Sequence, residues 1–266
     1  MKLVYFLLHN LTMRPNTKHS LIKELLAQLP HGCPFDLSDL AAHGVSAFLA
    51  AKYVQSGWLQ RLAQGIYAYP NDNLQLDACL LLLQKQAPGL HVGGKTALSW
   101  QGIRHNVSPR SHNHLWGTQR YTLPDWFTSR FPARYFQRAL FNHEQLSASL
   151  VNEGYVLLAD HAQGLVVSGR ERALLEMLDE VGIGQDLEEA RHLFESLSSL
   201  RIDVIGPLLE ACTRIKTIRL FLYFAEQTTV IDVDSVRRRF NLQLGSSARW
   251  TRRLPNGALL TLKRPC

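Results

Sequence analysis

A stretch near the middle of the chain contains residues that could bind phosphate. Residues 88–102 read PGLHVGGKTALSWQG. Gly89, Gly94, Lys95 and Thr96 satisfy the pattern G-x-x-x-x-G-K-[ST], in which backbone N–H groups and a lysine surround the phosphates of a nucleotide. The pattern raises the hypothesis of a nucleotide-dependent enzyme that uses Gly89 to Thr96.

The residues on either side do not favour that hypothesis. A working phosphate loop follows a buried strand, whereas residues 80–88, LLLLQKQAP, have the pattern of a helix that ends before Pro88. The run YVLLAD could end a strand at Asp160 and supply a magnesium ligand, but an Asp after apolar residues is a common pattern. The sequence favours a tight glycine connection into a core helix that starts at Thr96 or just before, and the phosphate loop stays open as an alternative.

Other catalytic or metal-binding sets are not indicated. No Ser-His-Asp or Cys-His group can be selected from spacing, because the members of a triad are not local in sequence. His112 and His114 are close together, but no cysteine cluster lies near them. The cysteines at positions 33, 79, 212 and 266 are scattered, which is typical of free thiols in a reducing cytosol. We therefore expect no catalytic residues, no metal and no cofactor.

Composition and charge favour a folded protein with an anionic partner. The 266 residues are 46% hydrophobic, enough for one large domain or two ordinary ones. The formal net charge is +7, and nucleic acid is the usual partner of such a protein. Residues 155–235 carry 7 basic and 14 acidic side chains, whereas residues 236–266 carry 8 basic and none that are acidic.

The first residues, MKLVYFLLHNLTMRPN, contain a short apolar run. The run is too short to span a bilayer and is not followed by a small-residue cleavage motif. We expect a cytoplasmic protein with no membrane partner, and Met13 is an alternative start to Met1.

The next elements form a recognisable order. Residues 17–29 predict a helix, Asp36 an N-cap for a short second helix, and Ser46 an N-cap for a third helix that ends before Gly57. The runs WLQRL and GIYAY then predict a β-hairpin. This order is the plan of a winged helix-turn-helix, whose third helix enters the major groove of DNA.

Polar side chains on the third helix and the hairpin are the candidate DNA contacts. They are Ser46, Lys52, Tyr53, Gln55, Ser56, Arg61 and Gln64. Two alternatives remain: these residues could simply be solvated, or the same fold could dock a protein as an adaptor.

A turn cluster at Pro70 to Asn73 predicts a junction between residues 1–72, the DNA-binding domain, and residues 73–266, the C-terminal domain. In the second part we expect a helix over 74–86, mixed β structure over 112–168, and a hairpin around Pro255–Gly257. The β-prone runs are NHLWG, RYTLP, ARYFQ, YVLLAD and GLVVS, and the predicted later helices are 169–181, 186–198, 203–212 and 214–226. The predicted fold class is α+β: an N-terminal winged helix-turn-helix domain followed by a larger mixed α/β domain.

Basic residues of the second part form a candidate anion-binding surface. They are Arg170, Arg172, Lys216, Arg219, Arg249, Arg252 and Arg253. Arg170 and Arg172 precede a predicted helix interior, where cations oppose the helix dipole, so a structural carboxylate partner or a functional role is expected. Arginines on both sides of Trp250 could hold phosphates and stack on bases, and the alternative is a solvated basic face.

Four segments together resemble the AbiEi family of type IV antitoxins and transcriptional regulators. They are GVSAFLAAKYVQSGWLQRLAQGIYAYPND, VGGKTALSWQG, VVSGRERALLEMLDEV and LLEACTRIKTIRLFLYFAE, in order from about residue 15 to the end. The SGWL…GIY hairpin and the helices SGRERALLEML and KTIRLFL are the more specific parts.

The resemblance implies a function in two parts. In the family, an N-terminal winged helix-turn-helix represses its own operon by binding inverted repeats in double-stranded promoter DNA. The C-terminal part counters a nucleotidyltransferase-like toxin without a stable complex, and members are not enzymes. The chain departs from many relatives at Lys95-Thr96 and at Arg237 to Arg239, and the arginines leave open whether the tail also binds DNA.

Overall fold

The structure of the chain is a computed structural model. It describes residues 18–104, 112–147, 153–253, 257 and 259–263. The protein forms two compact units, which divide between Leu82 and Leu83. The predicted apolar N-terminal run and the choice between Met1 and Met13 lie outside the described residues.

The first unit has the predicted element order. Its three strands form an antiparallel sheet in the order β1-β3-β2. The elements are α1 (Lys18–Gln28), β1 (Phe35–Asp36), α2 (Leu37–Ala42), α3 (Ala47–Gln55), β2 (Gln60–Ala63) and β3 (Ile66–Ala68). The predicted hairpin is β2 and β3, and β1 adds a third strand to it.

Local sequence explains where α2 and α3 begin. The Asp36 carboxylate accepts hydrogen bonds from the backbone N–H groups of Ser38 and Asp39, and the Asp39 side chain accepts from the Asp36 N–H in return. The Ser46 hydroxyl accepts from the Leu49 N–H at 3.3 Å. Both predicted N-caps are confirmed, and they satisfy N–H groups that have no partner within the helix.

A single apolar core holds this unit together. It is formed by Ile22, Leu25, Phe35, Leu40, Val45, Ala50, Tyr53, Leu59, Tyr67 and Tyr69. The Tyr69 hydroxyl donates to the Leu25 carbonyl at 2.8 Å, which links the end of the sheet to α1. Burial, and then the nearby Asp72 carboxylate, raise the pKa of Tyr69 to about 12, so this donor keeps its proton.

The helix α4 (Leu76–Gln86) contains the division between the units, and the second unit is organised around a mixed sheet. The sheet order is β6-β5-β4-β8-β7. Its strands are β4 (His91–Val92), β5 (Asn113–Gly117), β6 (Ala133–Gln137), β7 (Tyr155–Val156) and β8 (Val167–Ser168). The pairs β4–β8 and β5–β6 are parallel, whereas β4–β5 and β7–β8 are antiparallel.

One predicted strand is wrong, and two others are shorter than expected. RYTLP forms no strand, because Pro124 instead caps α6 (Asp125–Thr128). YVLLAD and GLVVS each contribute only two strand residues. The helix α5 (Gly94–Trp100) starts two residues before Thr96.

The helical half contains the four predicted helices, and a fifth at Val233–Arg239 that was not predicted. It contains α7 (Arg170–Asp179), α8 (Leu187–Glu195), α9 (Ile202–Glu210), α10 (Ile215–Ala225) and α11 (Val233–Arg239). Helix α7 is buried from Glu171 to Asp179, on its polar as well as its apolar positions. A final hairpin pairs β9 (Trp250–Arg253) with β10 (Leu259–Leu262), and most of its predicted turn lies outside the described residues.

The mixed helix and strand content, with a smaller N-terminal and a larger C-terminal part, confirms the predicted α+β class and two-part architecture, whereas the winged helix-turn-helix identity of the first part stays a prediction. The functional boundary between residues 72 and 73 stays a prediction. In the part of the chain that the structure describes, no helix has the length and apolar character needed to cross a membrane.

Candidate nucleic-acid interface and basic cleft

The exposed face of α3 carries most of the predicted DNA contacts. Ser46, Lys52, Gln55 and Ser56 are all exposed. The Lys52 ammonium lies 4.4 Å from the ring centroid of Phe48, whose side chain is 70% exposed. A cation on an exposed aromatic ring keeps its charge available to an incoming phosphate.

Tyr53 is almost entirely buried, although it lines a shallow groove beside that face. Its side chain is only 5% exposed and belongs to the core of the first unit, together with Ile22 of α1 and Ala50 of α3 itself. Tyr53 is therefore corrected from a DNA contact to a core residue. The Ser56 hydroxyl donates to the Lys52 carbonyl at 2.9 Å and closes the end of α3.

The β2–β3 hairpin exposes the other two predicted contacts. Arg61 and Gln64 are both exposed. The Arg61 Nε donates to the Ala63 carbonyl at 3.2 Å, which directs the guanidinium along the hairpin and leaves its other N–H groups facing solvent. The strand register shifts between Arg61 and Ala63, so the hairpin bends locally at this cation.

The α3 face also borders a shallow groove of about 450 Å³. Lys52, Gln55 and Ser56 line it together with Trp58, whose side chain is 45% exposed. The sequence interpretation missed Phe48 and Trp58. The sequence did contain a signal for them: both are large aromatic residues in or next to the predicted third helix, and neither belongs to its apolar face.

The phosphate-loop pattern has a different role in the structure. A two-residue strand, β4, lies inside the pattern and was not expected from the helix-like residues before it. The N–H of Gly94, at the start of α5, donates to Oε2 of Glu176 at 2.9 Å. A carboxylate of the chain itself thus lies where this pattern would place a phosphate oxygen.

Glu176 is the centre of a buried polar network. Its carboxylate also accepts from the Ser168 hydroxyl and from Nε of Arg172, and lies 2.9 Å from Nε2 of His91. Burial alone would raise the pKa of this carboxyl, but His91, Arg172 and the Gly94 N–H outweigh burial and hold the pKa below its usual value. The other His91 nitrogen faces the Gly89 carbonyl, so both ring nitrogens meet acceptors.

The lysine and threonine of the pattern also have partners within the chain. The Lys95 ammonium lies 2.9 Å from the Glu189 carboxylate. The Thr96 hydroxyl accepts from the His114 N–H at 2.8 Å and so ties α5 to β5. This geometry does not support a phosphate loop at Gly89 to Thr96.

His114 does not have the surroundings of a metal ligand. Burial, then the charges of Lys95, Arg134 and His112, lower its pKa to about 4. Within the described ranges, no group of three or more His, Cys, Asp or Glu side chains could hold a metal ion.

The predicted basic residues separate into two groups. Arg172 is buried, bonds to Glu176, and packs its guanidinium 4.5 Å from the Tyr155 ring centroid. Arg172 therefore has the expected structural carboxylate partner. Its predicted place on the basic surface was wrong, because it is a core residue. Arg170 is exposed at the start of α7, and Arg253 is exposed on β9.

The remaining four predicted cations meet at one cleft of about 610 Å³ in the second unit. These are Lys216, Arg219, Arg249 and Arg252. Arg138, Arg214 and Asp179 line the same cleft and were missed, because Arg138 lies on a distant segment and no sequence pattern connects it to α10. Arg219 is buried and bonds to four backbone carbonyls, so it forms a wall of the cleft rather than exposed surface.

Two family profiles match almost the whole described chain. One describes the N-terminal domain of the AbiEi antitoxin transcriptional regulator and matches residues 18–109. The other describes a transcriptional regulator, AbiEi antitoxin, of a type IV toxin–antitoxin system, and matches residues 110–262. The fold and these matches define a transcriptional regulator of the antitoxin class. The chain belongs to the AbiEi family, as the sequence resemblance predicted.

A solved structure supports the fold. The crystal structure of the RV2827C protein from Mycobacterium tuberculosis is similar with a TM-score of 0.57, over 86% of each chain and at 16% identity. A comparison with curated proteins found no match.

Proposed function

We propose that this antitoxin represses its own operon by binding inverted repeats in the promoter through its first unit. In this proposal the unit is a winged helix-turn-helix, α3 enters the major groove, and the β2–β3 hairpin is the wing. The observation that carries the proposal is the exposed polar face of α3, which the two N-caps fix between a tight turn and a hairpin.

The proposed contacts divide by chemistry. Lys52 and Arg61 are the cations of the interface, and they would neutralise phosphates without reading sequence. Gln55 has the amide geometry that pairs with adenine in the major groove. Ser46, Ser56 and Gln64 complete the proposed set, from which the buried Tyr53 is removed.

A binding assay tests this proposal. We expect the full chain to bind double-stranded DNA from upstream of its gene more tightly than shuffled DNA of the same composition, at moderate salt. Equal affinity for the two sequences would refute the repressor proposal.

A second candidate function has its own observation. Phe48 and Trp58 expose large aromatic surface beside the groove of the first unit, which is typical of protein docking. An adaptor would co-purify with a stable protein partner and would not bind DNA, so the DNA assay combined with co-purification separates the two functions.

The second unit is proposed to counter a nucleotidyltransferase-like toxin without a stable complex. What supports this is membership of the AbiEi family and the proposed basic surface of Arg170, Lys216, Arg249, Arg252 and Arg253, with the buried Arg219 as a wall of the cleft. We expect co-expression to rescue growth from the toxin encoded beside the gene, also when Lys52→Ala and Gln55→Ala remove DNA binding. Loss of rescue in that variant would show that antitoxicity acts only through repression.

A further inference from the structure

The basic cleft of the second unit has a strongly one-sided charge. Six cationic side chains line it against one carboxylate, that of Asp179, which leaves a formal excess of five positive charges. The cations are Arg138, Arg214, Lys216, Arg219, Arg249 and Arg252. Such a concentration of like charge in a concave site favours a polyanionic ligand.

Three of these cations are held by the protein. Arg219 donates to the carbonyls of Leu244 and Ala248. Lys216 donates to the carbonyl of Asp179, and Arg138 lies 3.4 Å from the Asp179 carboxylate. Burial is the main cause that lowers the pKa of Lys216; the charges of Arg252 and Arg214 act in the same direction, and those of Asp179 and Glu180 oppose them. These three groups form a fixed floor of the cleft, and the Asp179 and Glu180 carboxylates next to Arg138 offset part of its positive charge.

The other three are available to a ligand. In the part of the chain that the structure describes, Arg214, Arg249 and Arg252 have no ion-pair partner within 4.0 Å, although all three line the cleft. A guanidinium offers a planar pair of N–H donors that matches two phosphate oxygens. Three unpaired guanidinium groups around one cavity can therefore hold more than one phosphate.

An aromatic surface stands next to these donors. Alternation along β9 places Trp250 and Arg252 on one face, opposite the buried Leu262 and Leu260 of β10. Arg253 lies on the other face of the same strand. The half-buried indole lines the cleft, where a flat base can stack on it.

The size of the cleft selects among phosphate ligands. A volume of about 610 Å³ lies within the range of small-molecule and cofactor sites. We propose that this cleft binds a free nucleoside polyphosphate, with its phosphates on Arg214, Arg249 and Arg252 and its base against Trp250. The site lies in the second unit and goes beyond the DNA binding proposed for the first.

Calorimetric titration of the full chain tests the proposal. The probes are ATP, UTP, AMP and inorganic tripolyphosphate, with a single-stranded oligonucleotide and duplex promoter DNA as competitors. We expect saturable binding of the triphosphates, weaker binding of AMP, and an affinity for tripolyphosphate below that of either nucleotide. Absence of saturation at millimolar ATP and UTP, or equal affinity for tripolyphosphate, would overturn it.

Three variants locate the site. Arg249→Ala and Arg252→Ala should each weaken ATP binding about tenfold, because each removes a charge-assisted hydrogen bond. Trp250→Leu should weaken ATP about fivefold and leave tripolyphosphate unchanged. Far-ultraviolet circular dichroism and thermal unfolding show whether each variant is folded. If one of the three variants is unfolded, the binding data of the other two still test the proposal.

Arg253→Ala is the matched control, because it removes the same charge from the opposite face of the same strand. Its affinity for ATP should stay within about twofold of the parent. If Arg253→Ala and Arg252→Ala lost the same amount of affinity for ATP, the binding would be non-specific charge attraction, and the proposal that the cleft binds the nucleotide would be refuted. A ligand that binds only as an oligonucleotide would refute a free nucleotide. Promoter binding by α3 should be unchanged in all these variants, so the two proposals fail separately.

Discussion

The Glu176 carboxylate accepts a hydrogen bond of 2.9 Å from the backbone N–H of Gly94, across 82 residues of sequence. This bond joins the first turn of α5 to the buried face of α7. The positive end of the α5 dipole and a buried N–H without an intrahelical partner favour an anion at this place. In this protein the anion belongs to the chain, so the glycine pattern builds the core instead of binding a ligand.

The first prediction concerns the residue before Gly94. A Cβ on Gly93 would lie 2.3 Å from Oε2 of Glu176 and 2.7 Å from Cδ1 of Trp116, and both groups are buried. Because neither group can move without breaking the network, Gly93→Ala should lower the free energy of unfolding by about 2 kcal/mol or more. Urea denaturation monitored by tryptophan fluorescence measures the change.

The control for that variant is Gly169→Ala, at the start of α7. A Cβ there would meet its nearest atoms at 3.4 Å or beyond, and the φ of −63° suits alanine. We expect a loss of no more than about 1 kcal/mol, from the weaker N-cap. Equal stability of Gly93→Ala and the parent would contradict the close approach of Glu176.

The second prediction separates the buried carboxylate from the exposed lysine of the pattern. Glu176→Gln places an amide between donors and should cost about 3 kcal/mol of unfolding free energy. Lys95→Ala breaks a half-exposed ion pair with Glu189 and should cost about 0.5 kcal/mol. If Lys95→Ala abolished nucleotide binding by the full chain, the phosphate-loop alternative would regain support over the basic cleft.

Sequence periodicity predicted the helices well, because their apolar residues repeat at helical spacing and their caps are local. Asp36 and Ser46 have the side chains that an N-cap requires, and both act as caps. The short strands were harder to predict, since β4 and β7 each have two residues and are defined by their neighbours in the sheet. The predicted strand RYTLP was wrong, because Pro124 is the N-cap residue of a helix that begins at Asp125.

The candidate sites were predictable only in part. Arginine composition identified Lys216, Arg219, Arg249 and Arg252, but nothing in the sequence joins them to Arg138. The burial of Arg172 depends on Glu176, one turn further along α7. An i,i+4 pair is visible in a sequence, but whether the pair faces solvent or the core depends on tertiary packing.

The third prediction concerns pH. The pKa of His114 falls from 6.5 to about 4 on folding, mainly through burial. Between these values the unfolded chain binds a proton that the folded chain does not, so stability is present above pH 6.5 and is lost as pH falls toward 4. The pKa shift corresponds to a loss of about 3 kcal/mol of unfolding free energy when the pH falls below both pKa values.

Replacement by asparagine isolates this effect from other groups that titrate in the same range. His114→Asn should be less stable than the parent at pH 7 through lost packing on Phe136. The difference between the two proteins should shrink by about 2–3 kcal/mol on going to pH 4. Urea denaturation across this range measures it, and a constant difference would show that His114 does not carry the effect.

The fourth prediction concerns DNA. Lys52→Ala should weaken binding to all sequences and reduce the slope of log affinity against log salt by about 1. Gln55→Ala should instead reduce the ratio of the affinity for promoter DNA to the affinity for shuffled DNA. Lys23→Ala, an exposed cation on α1, is the matched control and should leave both quantities unchanged. A salt slope equal in Lys52→Ala and the parent would remove Lys52 from the interface.

The last prediction concerns Arg219, which anchors the segment between α11 and β9. Its Nε and Nη2 both donate to the Leu244 carbonyl, at 2.9 and 2.7 Å, and its Nη1 donates to the Ala248 carbonyl at 2.8 Å. The side chain is 2% exposed, so these bonds replace its hydration. A lysine has its three donors on one nitrogen, so it cannot reproduce the planar set of three nitrogens with which Arg219 bonds these carbonyls.

Arg219→Lys keeps the charge and should still cost about 1–2 kcal/mol, because the buried cation loses several of its hydrogen bonds to the part-buried carbonyls of residues 244–248. Arg238→Lys is the control, since that side chain is exposed and its replacement should be nearly neutral. Hydrogen exchange should show faster opening of residues 244–253 in Arg219→Lys than in the parent, while α3 in the other unit exchanges at its parental rate. Unchanged protection of residues 244–253 would mean that the segment is held by its own hairpin, and that the wall of the basic cleft does not depend on Arg219.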